Sequence, residues 1–198
     1  KARVVSNSSQ MIRLDDEKSN YKISKDLEKK VLNKVKKYIG YADIVVLSDY
    51  NKGLLSKNVI RDVIDLCKLN NIDVLVDPKK SINHYQGAST ITPNLKEFYK
   101  FSNVTKLKDN EIIRISKSFI NQYEIKEMLI TMSDKGMIFI SNKKRKYFNA
   151  FSKEVYDVTG AGDTVIATLA LMKCIGIDTL DSVYFANLAA GKVISKSG

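Results

Sequence analysis

Asp157–Val158–Thr159–Gly160–Ala161–Gly162–Asp163–Thr164 runs into an apolar stretch that predicts a helix from about Gly162 to Ile175. Glycines at 160 and 162 let successive backbone N–H groups converge with no side chain in the way. A helix start adds unpaired amides and the positive end of its dipole at the same spot. Such a nest suits an anion, and it stabilises charge developing on a phosphoryl group in transfer. Asp163 stands at the edge of the nest, where a carboxylate could accept the proton of an attacking hydroxyl. The bland alternative is a tight turn with Asp163 as the helix cap. Two other phosphate-binding patterns do not fit. A dinucleotide fingerprint lacks its third glycine here and has no parallel strand after the helix, and no GxxxxGK[ST] string occurs.

These residues need a scaffold, and the periodicity predicts one. Arg3–Leu14 reads as extended. Ser24 caps a helix whose buried stripe is Leu27, Val31, Leu32, Val35 and Ile39, ended by Gly40. Ile44–Leu47 is an apolar run of strand length ending in Ser48–Asp49–Tyr50. Ser56 then caps a helix to about Leu69, and the strand Ile72–Val76 ends in Asp77–Pro78–Lys79. Thr90–Thr92 ends in Pro93–Asn94 before a helix from Leu95, Asp109 caps a helix to about Tyr123, and Met128–Met132 ends in Ser133–Asp134. Met137–Ile140 and Tyr147–Asn149 read as an antiparallel pair, and Asp178–Lys196 as a last helix. Alternating strands and helices predict a parallel α/β layer fold with its chemistry at the carboxyl ends of the strands.

At 198 residues and 44% hydrophobic content the chain supports one sizeable core. No apolar run is long enough to span a bilayer, so no membrane partner is expected. No signal segment opens the chain, and without an initial Met it reads as a piece of a longer protein. The net charge of +11 is spread over the whole sequence. Its densest run, Lys143–Lys144–Arg145–Lys146, reads as a solvated hairpin tip rather than a nucleic-acid site, so no nucleic acid is expected as a partner. A positive field also attracts phosphorylated small molecules. Cys67 and Cys174 fall on apolar sides of predicted helices, which predicts two buried reduced thiols and a cytoplasmic protein. His84, the single histidine, lies in a predicted loop and is given no role.

The stretch DVTGAGDTVIATLAL resembles the C-terminal signature of the ribokinase-like carbohydrate kinases, the phosphofructokinase B type. The resemblance implies a three-layer α/β sandwich with a mostly parallel central sheet. The chain, residues 1–198, would be the C-terminal, nucleotide-binding portion of that domain, truncated on its N-terminal side. It implies that Asp163 is the catalytic base and that the amides of Gly160, Ala161 and Gly162 form the anion hole. Asn94-x-x-Glu97 is similar to the family's NxxE motif, which helps place Mg²⁺ and the ATP phosphates. Thr131–Gly136, including Ser133, resembles its nucleotide-binding strand-turn, although an ordinary hairpin turn reads equally well from these residues. Asn187 falls where the family lines the adenine pocket, or packs a helix. Asp157 and Thr159 match positions tied to an activating monovalent cation, usually K⁺.

A narrower resemblance spans nearly the whole chain. RVVSNSSQMIRLDDE, LSDYNKG, VDPK, ITPNLKEF and GDTVIA resemble segments of heptose 7-phosphate kinases, the kinase part of bifunctional ADP-heptose synthases that serve lipopolysaccharide core synthesis. This implies ATP-dependent phosphorylation of a sugar phosphate, with Arg3, Arg13, Asp49 and Lys52 as candidates for the substrate phosphate, and a homodimer in the full-length protein. Another sugar or nucleoside kinase, or a non-catalytic nucleotide-binding module, stays open from the residues alone. Two glycines of the pattern are replaced, by Asn51 and Lys80, which puts the geometry of both turns in question. A chain opening at Lys1–Ala2–Arg3 is expected to lack the Gly-Gly substrate segment and most of the lid, and to be inactive alone.

Overall fold

The computed structural model describes residues 2–6, 9–14, 22–151 and 160–195. Strands β1 (Ala2–Ser6) and β2 (Ser9–Leu14) pair antiparallel as a two-stranded sheet of their own. The main sheet has six strands: β3 (Ile44–Ser48), β4 (Asp73–Asp77), β5 (Thr90–Ile91), β6 (Glu127–Thr131), β7 (Met137–Ser141) and β8 (Arg145–Phe148). They lie side by side in chain order, β3 to β6 parallel and β6 to β8 antiparallel. An isolated bridge from Asn94 to Thr131 extends the β5–β6 pairing past the strand ends.

Side-chain alternation along each strand sorts the helices into two layers. Val74, Val76, Met128, Ile130, Ile138 and Ile140 face a core shared with α2 (Lys57–Leu69), α3 (Leu95–Ser102) and α4 (Asp109–Gln122). The intervening Leu75, Leu129, Met137 and Phe139 face a second core with α5 (Ala161–Cys174) and α6 (Thr179–Ile194). The result is the expected three-layer sandwich with a mostly parallel sheet. Each fully buried Leu, Ile or Phe in these cores contributes about 1.5–3 kcal/mol. A buried ion pair between Lys173 and Glu127, whose Oε1 also accepts from Thr90 Oγ1 at 2.7 Å, ties α5 to β5 and β6.

Local signals were realised where they were self-contained. Ser24 accepts a hydrogen bond from Leu27 N–H and Ser56 from Val59 N–H, both at 3.2 Å. At the fourth helix the cap is one residue earlier than expected. Lys108 occupies it, its N–H donating to Glu111 at 2.8 Å, and Asp109 is already helical. Two burial expectations fail. Of the stripe expected in α1 (Lys25–Tyr38), Ile39 just past its end is buried, but Leu27 is exposed and Val31, Leu32 and Val35 are only half covered, because the helix packs at the margin of the sheet against α2. Cys174 is exposed, since the last turn of α5 runs beyond the core together with Leu171 and Ile175. Cys67 is buried as expected, and burial pushes its thiol up to about 11.

The turn from β6 to β7 passes through Ser133–Lys135 and Gly136, the latter at φ +84°. A Cβ on Gly136 would lie 2.0 Å from the carbonyl oxygen of Phe148 and 2.5 Å from the amide of Ala150. Glycine is therefore required on both conformational and steric grounds. Gly136→Ala should cost about 3 kcal/mol or more, read as a lowered urea midpoint with an unchanged m-value.

Candidate active site

The carboxyl ends of β3 to β6 and the start of α5 converge on one side of the sheet. Gly160 caps α5 at φ +79°, a conformation that favours glycine, and no side chain caps this helix. Asp163 is its third residue, not its cap, so the bland reading of that carboxylate does not hold. Its Oδ1 accepts a hydrogen bond at 2.9 Å from the phenol of Tyr50, which follows β3. Thr164 closes the first turn, its N–H and its hydroxyl both donating to the Gly160 carbonyl at 2.9 Å.

Beside this helix start lies a cavity of about 650 Å³. Its wall includes Asn94, Thr131, Ser133, Gly136, Ala161, Gly162 and Asn187, all singled out from the sequence. Its size falls in the range of small-molecule sites. A Cβ on Gly162 would meet nothing within 4 Å. The fold itself therefore leaves room for a side chain at this wall position, and alanine would favour the helix. Asn187 is buried in α6 and donates to the Asn149 carbonyl at 2.8 Å, so it both lines the cavity and anchors the chain after β8. Phe151, which the sequence reading passed over, completes the wall; it follows an antiparallel strand and carries no motif.

Asn94 and Glu97 form a reciprocal capping box at the start of α3. Asn94 Oδ1 accepts from Glu97 N–H at 3.0 Å, and Glu97 Oε2 accepts from Asn94 N–H at 2.8 Å. The other oxygen of Glu97 takes Lys79 Nζ at 2.5 Å, and the same ammonium reaches Asp77 at 3.4 Å. Burial lowers the Lys79 ammonium, but Glu97 and Asp77 outweigh it and hold the group above its ordinary value. Asp77 is pushed up to about 6, first by burial, with Glu97 and Asp163 adding to the rise and Lys79 opposing it.

Asp49, a candidate for the substrate phosphate, is engaged by the protein itself. At 2% exposure it points into the protein. Oδ1 accepts from Asn51 N–H at 2.7 Å, and Oδ2 from Lys80 Nζ at 2.6 Å and Tyr85 OH at 2.7 Å. A carboxylate with both oxygens so engaged is scaffold, and it would repel a phosphate. Lys52 is exposed in the loop after β3. Arg3 and Arg13 stand opposite each other in the β1–β2 register, on the separate sheet. Asp157 and Thr159 lie outside the described residues. Both turn substitutions are accommodated. Asn51 takes φ +55°, which asparagine tolerates better than other side chains, and Lys80 supplies the partner of Asp49.

The description "pfkB family carbohydrate kinase" matches residues 2–198. The chain belongs to the pfkB family of carbohydrate kinases. It is 39% identical to the bifunctional protein HldE of Blochmanniella floridana, over all of this chain and 40% of that protein. It is 42% identical to the bifunctional protein HldE of Sulfurimonas denitrificans, again over all of this chain and 41% of that protein. The chain thus spans about two fifths of the length of these curated relatives. In fold it resembles phosphofructokinase-2 from Escherichia coli in complex with potassium, with a TM-score of 0.79 at 14% identity over 89% of this chain and 58% of that one. Ribokinase of Arabidopsis thaliana complexed with ribose and ATP gives 0.67 at 20% identity over 89% and 55%. Among the described residues no helix is long and apolar enough to cross a membrane.

The raised Asp77 gives a pH signature. Its folded-state value near 6 exceeds the ordinary 3.8, so the folded state binds the proton more tightly. Stability is therefore lost as pH rises through that window. Asp77→Asn removes the titration, so its melting temperature relative to the parent should climb between about pH 4 and pH 6 and then level off. A difference that stays flat across this range in thermal melts would show that Asp77 titrates normally.

Proposed function

We propose that this chain is the nucleotide-binding part of an ATP-dependent kinase that phosphorylates D-glycero-β-D-manno-heptose 7-phosphate on its anomeric hydroxyl, giving the 1,7-bisphosphate and ADP. The observation that carries this reading is the placement of Asp163 in the first turn of a helix whose Ala161 and Gly162 line the cavity. Identity of 39–42% to proteins named HldE across the whole chain supports the choice of sugar.

In this reading ATP lies in the cavity, with the adenine toward Asn187 and the phosphates toward Ala161 and Gly162. Asp163 takes the proton from the acceptor hydroxyl as its oxygen forms a bond to the γ-phosphorus. The bond from that phosphorus to the bridging oxygen breaks, and the negative charge leaves on ADP. The amides at residues 160–162 stabilise the phosphoryl oxygens during transfer. Among the described residues no three acidic or histidine side chains cluster to cage a metal. In this reading Mg²⁺ is carried by the nucleotide's phosphates and water, with Asp77 and, once released from Lys79, Glu97 as the acids at hand. When bound, the ion supplies neutralising charge to the phosphates. K⁺ would use Asp157 and Thr159, and the substrate phosphate would meet Arg3, Arg13 and Lys52. Unpaired cysteines suit a reducing cytoplasm, and the active protein is a homodimer in this reading.

The test is a kinase assay of the complete natural polypeptide carrying this chain, run against a panel of sugar phosphates and nucleosides. Heptose 7-phosphate should give the highest kcat/KM. Asp163→Asn should lower kcat by about a thousandfold or more while leaving ATP affinity near normal; retention of more than about a tenth of activity would remove Asp163 from the role of base. Gly162→Val should keep the melting temperature and lose ATP binding by calorimetry, because its methyl groups enter the space the wall leaves open.

A further inference from the structure

Tyr50 and Asp163 are 113 residues apart in sequence, yet the phenol donates to Asp163 Oδ1 at 2.9 Å. Neither the signature around Asp163 nor the element pattern requires this contact. The backbone on both sides of Tyr50 is hydrogen-bonded. Asp49 N–H continues the β3–β4 ladder to the Asp77 carbonyl at 3.0 Å, and the buried Asp49 carboxylate fixes Asn51 N–H. Lys80 and Tyr85 lock that carboxylate in turn. The Tyr85 hydroxyl accepts from the amides of Lys79 and Lys80 at 3.0 and 2.9 Å, which closes the network. A hydrogen-bonded, buried platform thus presents one aromatic side chain, itself 55% exposed, to the carboxylate at the start of α5.

We infer that Tyr50 is a positioning residue: its phenol holds one oxygen of Asp163 and so fixes which carboxylate oxygen faces the acceptor hydroxyl. The inference rests on the reading of Asp163 as the base. Asp163 is exposed, and among the described residues Tyr50 supplies the side-chain hydrogen bond to it. Without that bond the carboxylate turns about its Cβ–Cγ bond, and productive geometry becomes one of several orientations. The direction of the bond is also fixed. Hydrogen bonding to Asp163 raises the phenol, Ser48 opposes the rise, and burial with the charges of Asp163 and Asp77 adds to it. The phenol therefore stays protonated in the neutral range and acts as a donor to the carboxylate.

Tyr50→Phe in the complete natural polypeptide removes the donor and keeps the ring. The expected result is a fall in kcat of about tenfold with KM for ATP changed less than about twofold, and an unaltered melting temperature. In an Asp163→Asn background the same substitution should produce no further loss, because both act through one carboxylate. A second readout needs no catalysis. The titration of this phenol, isolated as the ultraviolet difference between the parent and Tyr50→Phe, should fall toward the ordinary tyrosine range when Asp163 is changed to Asn. An unchanged kcat, or a phenol titration indifferent to Asp163→Asn, overturns the inference. If the titration moves but Asp163→Asn stays active, it is the base assignment that fails, and the positioning role fails with it.

Discussion

A carboxylate removed from water must be given partners, and the arrangement of this site follows from how that demand is met at Asp49. Its ionised oxygens take a lysine, a phenol and a backbone amide. Those donors come from the end of β3, the segment after β4 and the short helical turn Ile82–Tyr85. Satisfying one buried charge therefore clamps three pieces of chain that the parallel ladder alone would leave at its frayed end. Tyr85 extends the clamp by accepting two main-chain N–H groups, which leaves the loop after β4 little freedom. Lys79 emerges from that loop, and Tyr50 from the one opposite.

The charges around the clamp form two tiers. Asp49 is buried and paired with a partly covered Lys80, while Asp77 and Glu97 stand as two acids around the more exposed cation Lys79. Burial is what lifts Asp77, with Lys79 opposing the rise and Glu97 and Asp163 adding to it. In the proposed kinase reading, this tier is the one that would exchange partners for a polyanion or a divalent cation. The first tier cannot, because removing either member leaves a buried charge unpaired.

Most of the architecture was legible in the sequence. Apolar runs bounded by polar residues gave the parallel strands of the main sheet, because a parallel strand covered on both faces reads as a near-continuous apolar run. Caps at Ser24 and Ser56 were legible because a cap depends on three or four neighbouring residues. Burial was less so. The uniform apolarity of α5 gave no contrast between faces, so nothing distinguished Cys174 from Leu169, and only packing against α6 and the sheet decides between them. At the site, the glycine-flanked helix start and the cavity wall were readable from motifs. Tyr50, Lys79 and the inward turn of Asp49 were not, since their contacts with Asp163, Glu97 and Lys80 span 113, 18 and 31 residues and exist only after the sheet has formed.

The opposite fates of the two cysteines make the molecule its own folding gauge. Cys174 lies open to any thiol reagent, whereas Cys67 is sealed on the buried face of α2 with its reactive thiolate suppressed. A native molecule takes up a single alkyl group and an unfolded one takes up two. The mass of the second adduct therefore counts excursions to the unfolded state one molecule at a time, with no foreign label in either core.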